Sequence, residues 1–97
     1  MAELKVTITE ITDTGGYPRF ASAEFTDRYG EKHVFSDKLP IFARDDTDMT
    51  VPREGVIRCA VVGERDGFCV IDTEFPDDVE DSEGRYRFEV DERLVVR

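Results

Sequence analysis

The stretch that decides the fold is Val56-Ile57-Arg58-Cys59-Ala60-Val61-Val62-Gly63-Glu64-Arg65-Asp66-Gly67-Phe68-Cys69-Val70-Ile71. An Asp-Gly pair between two apolar runs is a strong hairpin signal, because the tight turn needs positive φ and glycine supplies it without steric cost. Valine, isoleucine and phenylalanine fill both runs, so two antiparallel strands are expected. With Asp66-Gly67 as the loop, Glu64 faces Cys69 and Glu74 faces Cys59. The two sulfurs then point to opposite faces, which argues against a disulfide. Both runs are apolar on both faces, so each face needs a cover, from this domain or from a second copy of the chain. A homodimer through the Val56–Ile71 hairpin is the corresponding expectation.

Upstream, Leu4, Val6 and Ile8 alternate with Lys5, Thr7 and Thr9, the period of a half-buried strand, and the run ends at Asp13-Thr14-Gly15-Gly16. Phe20 to Phe25 and Lys32 to Ser36 form a second hairpin around Asp27-Arg28-Tyr29-Gly30. A register with Thr26 facing Glu31 sets Glu24 opposite His33, as a surface cross-strand pair. Pro40, Pro52 and the polar Asp45-Asp46-Thr47-Asp48 break the pattern, leaving a single helical turn at Ile41 to Arg44. Downstream, Tyr86-Arg87-Phe88-Glu89-Val90 alternates cleanly, and Leu94-Val95-Val96 extends that strand or tucks the chain end onto the core.

The spacing therefore predicts one all-β domain over residues 1–97 with six strands and at most one short helical turn. Its architecture is a six-stranded antiparallel small barrel, OB- or SH3-like, or a two-sheet sandwich. The expected core is Leu4, Val6, Ile8, Phe25, Val34, Ile57, Cys59, Val61, Val70, Ile71, Tyr86, Phe88 and Val90.

Two blocks resemble a family of small uncharacterised bacterial proteins. The first is Phe25-Thr26-Asp27-Arg28-Tyr29-Gly30-Glu31-Lys32-His33-Val34-Phe35-Ser36-Asp37-Lys38-Leu39-Pro40. The second comprises Asp66-Gly67, Ile71-Asp72-Thr73-Glu74-Phe75-Pro76, Glu83-Gly84 and Phe88-Glu89-Val90. The resemblance implies a bacterial all-β protein; it brings no activity and no catalytic or binding residues. Where members of that family carry Trp-Gly-Ile-Glu-Ser, this chain has Asp77-Asp78-Val79-Glu80-Asp81.

Charge narrows the function. The 97 residues hold 23 acidic and 13 basic side chains, for a formal charge of −10. Such a field repels nucleic acid and anionic lipid and attracts cationic partners. No apolar run approaches the roughly 20 residues of a membrane helix. Met1-Ala2-Glu3-Leu4-Lys5 lacks the apolar segment of a secretory signal, so the cytoplasm is the expected compartment. Asn, Gln and Trp are absent, and arginines outnumber lysines ten to three, a composition also compatible with adaptation to salt or heat.

Seven carboxylates lie within twelve positions: Asp72, Glu74, Asp77, Asp78, Glu80, Asp81 and Glu83. The ordinary reading of such a run is a solvated surface loop; the functional one is a docking surface for a basic protein. It lacks the spacing of a calcium loop, and the chain has no Cys-x-x-Cys pair or Cys/His zinc set. No metal or cofactor is therefore expected. Gly-x-Ser-x-Gly and phosphate-loop signatures are also missing. The expectation is a non-enzymatic, immunity-like interaction module that meets its partner through those seven residues. The alternatives are a small enzyme or ligand-binding barrel with a pocket near His33, Glu24 and a cysteine, and an acidic surface serving salt adaptation alone.

Overall fold

Strand β1 (Ala2–Thr12) buries Leu4, Val6 and Ile8 and turns Lys5 and Thr7 outward, as its alternation requires. In the computed structural model, which describes residues 1–12, 15–45 and 47–97, β1 is the centre of a curled antiparallel sheet. β1 pairs on one side with β2 (Phe20–Thr26), which pairs with β3 (Lys32–Lys38). On its other side β1 pairs with the long β4 (Arg53–Arg65), followed in the sheet by β5 (Phe68–Asp72) and β6 (Arg87–Asp91). A 3-10 turn at Glu92–Leu94 then returns β7 (Val95–Val96) to β1, at Glu3 and Leu4. Seven strands, not six, are thus present among the described residues. They make one half-barrel sheet, not a two-sheet sandwich.

The Asp66-Gly67 turn forms as read, with Arg65 opposite Phe68, Glu64 opposite Cys69 and Gly67 at φ +80°. Two irregularities shift the remaining registers. In β4 the pairing slips between Val61 and Gly63, so that Val61 faces Ile71 and Val62 bulges out at 47% exposure. One extra residue reverses the faces of everything before it. Cys59 and Cys69 are therefore both buried in the same core as free thiols, not on opposite faces. The second slip lies in the β2–β3 turn. Asp27 Oδ1 accepts hydrogen bonds from the backbone of Tyr29 (2.8 Å) and Glu31 (2.9 Å), holding a loop one residue longer than expected. Phe25, not Glu24, is consequently opposite His33. His33 turns into the core and Glu24 stays on the outer face beside Lys32.

The one-residue shift also exchanges Val34, which is half-buried, for Phe35, which is fully buried. Val61, Val70 and Tyr86 are half-buried too, whereas Cys69, Leu39, Phe42 and Val79 belong to the core. The helical turn α1 spans Leu39–Phe42, two residues earlier than expected, with Pro40 in its first turn and Leu39 and Phe42 buried beneath it. Its carbonyl at Phe42 crosses β4 closely: a Cβ on Gly55 would meet that oxygen at 2.8 Å and the Ile8 side chain at 2.9 Å. Of the loop expected at Asp13-Thr14-Gly15-Gly16, Asp13 and Thr14 lie outside the described residues, as does Asp46 of the smaller acidic cluster. Among the described residues no helix is long and apolar enough to cross a membrane.

Inside the half-barrel, Phe25, Phe35 and Phe88 pack with ring centroids 5.3–5.9 Å apart, Phe88 edge-on to the other two. Such contacts add about 0.5–1.5 kcal/mol per pair beyond burial. The His33 ring completes the cluster, 5.2 Å from Phe25 and 4.8 Å from Phe88.

Candidate functional site

The acidic segment between β5 and β6 crosses to β3, at the far edge of the sheet. Thr73, at its start, is fully buried; its hydroxyl donates to the Val79 carbonyl at 2.5 Å, and Val79 N–H donates to the Thr73 carbonyl at 3.1 Å. Val79 is thereby pinned into the core. Asp81 then forms a bridge with Phe35 of β3, and Ser82 N–H donates to the Val34 carbonyl at 2.8 Å. A segment that reads as solvated charge is anchored at both ends and in the middle.

The central anchor is electrostatic. Asp81 is only 4% exposed. Its Oδ1 accepts the backbone N–H of Glu83 (3.0 Å) and of Arg85 (2.8 Å), and its Oδ2 accepts Arg85 Nε at 3.2 Å. His33, also 4% exposed, places Nδ1 3.3 Å from Asp81 Oδ2 and Nε2 2.8 Å from Asp27 Oδ2. Arg85 Nη2 lies 3.3 Å from the same Nδ1. Protonated, Nδ1 donates to Asp81; unprotonated, it accepts from Arg85. Burial would raise both carboxyls, yet both sit below their ordinary value. Hydrogen bonds from backbone amides, together with the neighbouring Arg85 and His33 for Asp81 and His33 for Asp27, outweigh desolvation. Each side chain in this chain of contacts has a partner, the condition under which a buried polar network stabilises a fold.

The seven expected site residues divide into two groups. Asp72 pairs with Arg87 at 2.9 Å, Asp77 takes a bidentate grip from Arg58 (2.6 and 2.9 Å), and Asp78 accepts the Tyr86 hydroxyl at 2.6 Å. Asp81 is consumed by the network, and Glu83 pairs with Arg85 at 2.8 Å. Glu74 and Glu80 are exposed and, among the described residues, make no such contact. Between them stands Phe75, 68% exposed, the aromatic that charge counting passes over.

Among the described residues, the structure does not bring His33, Glu24 and a cysteine around one pocket. A cleft of about 1160 Å³ runs across β1 and β4 between the β2–β3 turn and the chain end. It is lined by Glu24 and Asp27, but by neither His33 nor a cysteine. Lys5, Arg28, Arg44, Arg53 and Arg93 alternate there with acids, so its field has no single sign. Burial pushes the Cys59 thiol up to about 11, far from the thiolate that nucleophilic chemistry needs.

Compared with family models, curated proteins and solved structures, the chain matches none.

Proposed function

We propose that this chain is a non-enzymatic interaction module that docks a basic protein, with residues 72–83 as its contact surface. The observation that carries this reading is the pairing of a fixed loop with solvent-exposed outward groups. Hydrogen bonds from Thr73, Val79 and Asp81 hold the backbone, while Glu74, Phe75 and Glu80 face solvent. A loop that is already ordered loses little conformational entropy on binding. An exposed aromatic flanked by carboxylates suits a partner with an apolar pocket rimmed by lysine or arginine. Asp72, Asp77, Asp78, Asp81 and Glu83 belong to the same surface mainly as its scaffold.

The test compares the wild-type chain with a triple variant, Glu74→Gln, Phe75→Ser and Glu80→Gln, as immobilised baits in a lysate. The wild type is expected to retain a basic protein at about 0.05 M salt and release it near 0.5 M, where screening is strong. The variant should retain none of it. Equal retention by the variant, or retention indifferent to salt, overturns the proposal.

Self-association through the 56–71 hairpin has its own supporting feature. The bulge presents Val62 outward, beside exposed Ala60 and half-buried Val70. Light scattering should then give twice the 11.1 kDa chain mass, falling to the monomer value in Val62→Lys. A wild-type mass of one chain at micromolar concentration removes the dimer.

A further inference from the structure

We propose that Asp27, Glu31 and His33 form a binding site for a first-row divalent transition-metal ion, with Asp81 orienting the imidazole from behind. One ligand atom from each of the three residues lies within 4.8 Å of the others. Two of the three are already placed: His33 Nε2 and Asp27 Oδ2 are 2.8 Å apart. Neighbouring ligands at right angles on an ion with bonds of about 2.1 Å sit about 3 Å from each other, so the pair needs almost no movement. The third ligand, Glu31, has a side chain 60% exposed and reaches the position by rotation on the solvent side, which is also the route by which the ion enters.

What separates this grouping from a chance meeting of acids is its outer layer. Imidazoles that hold metals characteristically donate their second ring N–H to a carboxylate, which fixes the tautomer and raises ligand basicity. His33 Nδ1 faces Asp81 Oδ2 at 3.3 Å, and Asp81 is itself fixed by two backbone N–H groups and by Arg85. Asp27 is oriented likewise: its Oδ1 is occupied by the backbone of Tyr29 and Glu31, which aims Oδ2 at the imidazole. Phe25 and Phe88 flank the ring, so it cannot swing away.

Binding requires the Nε2 lone pair. In the neutral ring the proton passes from Nε2 to Nδ1 and on to its hydrogen bond with Asp81; an imidazolium releases one proton to solvent. Two carboxylates then neutralise the ion; as Glu31 turns to it, the guanidinium of Arg85 gives up its 3.9 Å contact with Glu31 and remains on Asp81 and Glu83. A nitrogen with two oxygens, and further positions left to water, suits zinc, cobalt, manganese or iron better than calcium, which prefers oxygen alone. The three ligands lie on the β2–β3 turn and β3, and none of them belongs to the docking segment 72–83.

The test titrates the full chain with Co²⁺ in excess Mg²⁺, following visible absorption and the ring proton signals of the single histidine. One equivalent of Co²⁺ should bring d–d absorption and large paramagnetic shifts of the His33 signals, with Zn²⁺ displacing it. Glu31→Gln alters an exposed side chain and leaves the fold intact; it should weaken binding roughly tenfold or more. Glu10→Gln, another exposed acid, should leave binding unchanged. Absence of His33 shifts up to about 1 mM Co²⁺, the range of weak nonspecific contact, overturns the site. So does binding that Glu31→Gln leaves as tight as in the wild type.

Discussion

At the scale of single residues, Asp81 and His33 join parts of the chain 48 positions apart. Replacing the Asp81 carboxylate takes a charged acceptor away from two backbone N–H groups and Arg85 Nε in a poorly solvating interior, at a cost of about 1.5–3 kcal/mol. Asp81→Asn should lower the unfolding free energy by about that much at neutral pH, measured by urea denaturation. The pH dependence has a definite sign. Asp27 and Asp81 are held below their ordinary value of 3.8, so their contribution is complete above that value and lost as pH falls through it and below. Between about pH 5 and pH 2 the wild type should lose more stability than Asp81→Asn does. Equal acid sensitivity would separate the network from acid unfolding. The cysteines supply a second residue-scale expectation. Both thiols are buried and Cys59 is pushed up to about 11, so a thiol reagent should modify them only as the chain unfolds. Rapid labelling of the native protein would contradict their placement.

At the scale of elements, two features decide which side chains reach the core: the length of a turn and a bulge. Legibility followed the range of the responsible interaction. The Asp66-Gly67 hairpin and the alternation of β1 depend on neighbours in sequence, and both were readable. The β2–β3 register was not, because it turns on one carboxylate accepting two backbone N–H groups inside the loop. That single extra residue moved His33 from the surface to the core and concealed its meeting with Asp27 and Asp81. The Val62 bulge is marked in the sequence only by Gly63, an isolated glycine inside a strand, and it alone brings both cysteines to one face. Asp81 was legible as an acid but not as a buried one, since its partners come from β3 and from the approach to β6. Gly55 gives the element-scale prediction. A methyl group there meets a backbone oxygen of α1 at 2.8 Å, which cannot yield without moving the turn. Gly55→Ala should cost about 1–3 kcal/mol and loosen α1, seen as faster amide exchange at Ala43, whose N–H closes that turn.

At the scale of the whole molecule, the half-barrel and its acidic crossing segment form one mechanical unit. The sheet supplies β3 as a ledge, the crossing segment docks on it through Asp81 and Ser82, and Glu74, Phe75 and Glu80 are left to face outward. Acidic charge is also spread over the remaining surface, as at the exposed Glu10, Asp66 and Glu92. A general acidic coat and a localised docking face predict different responses to a cation. The direct measurement is a titration of the isotope-labelled chain with a short oligo-arginine peptide at about 0.05 M salt, where screening is weak, followed by backbone amide shifts. A docking face predicts shifts concentrated at residues 74–80 that vanish near 0.5 M salt and are absent in the Glu74→Gln, Phe75→Ser, Glu80→Gln variant. Shifts spread evenly over Glu10, Asp66, Glu92 and the crossing segment would contradict it and leave an acidic coat without a site.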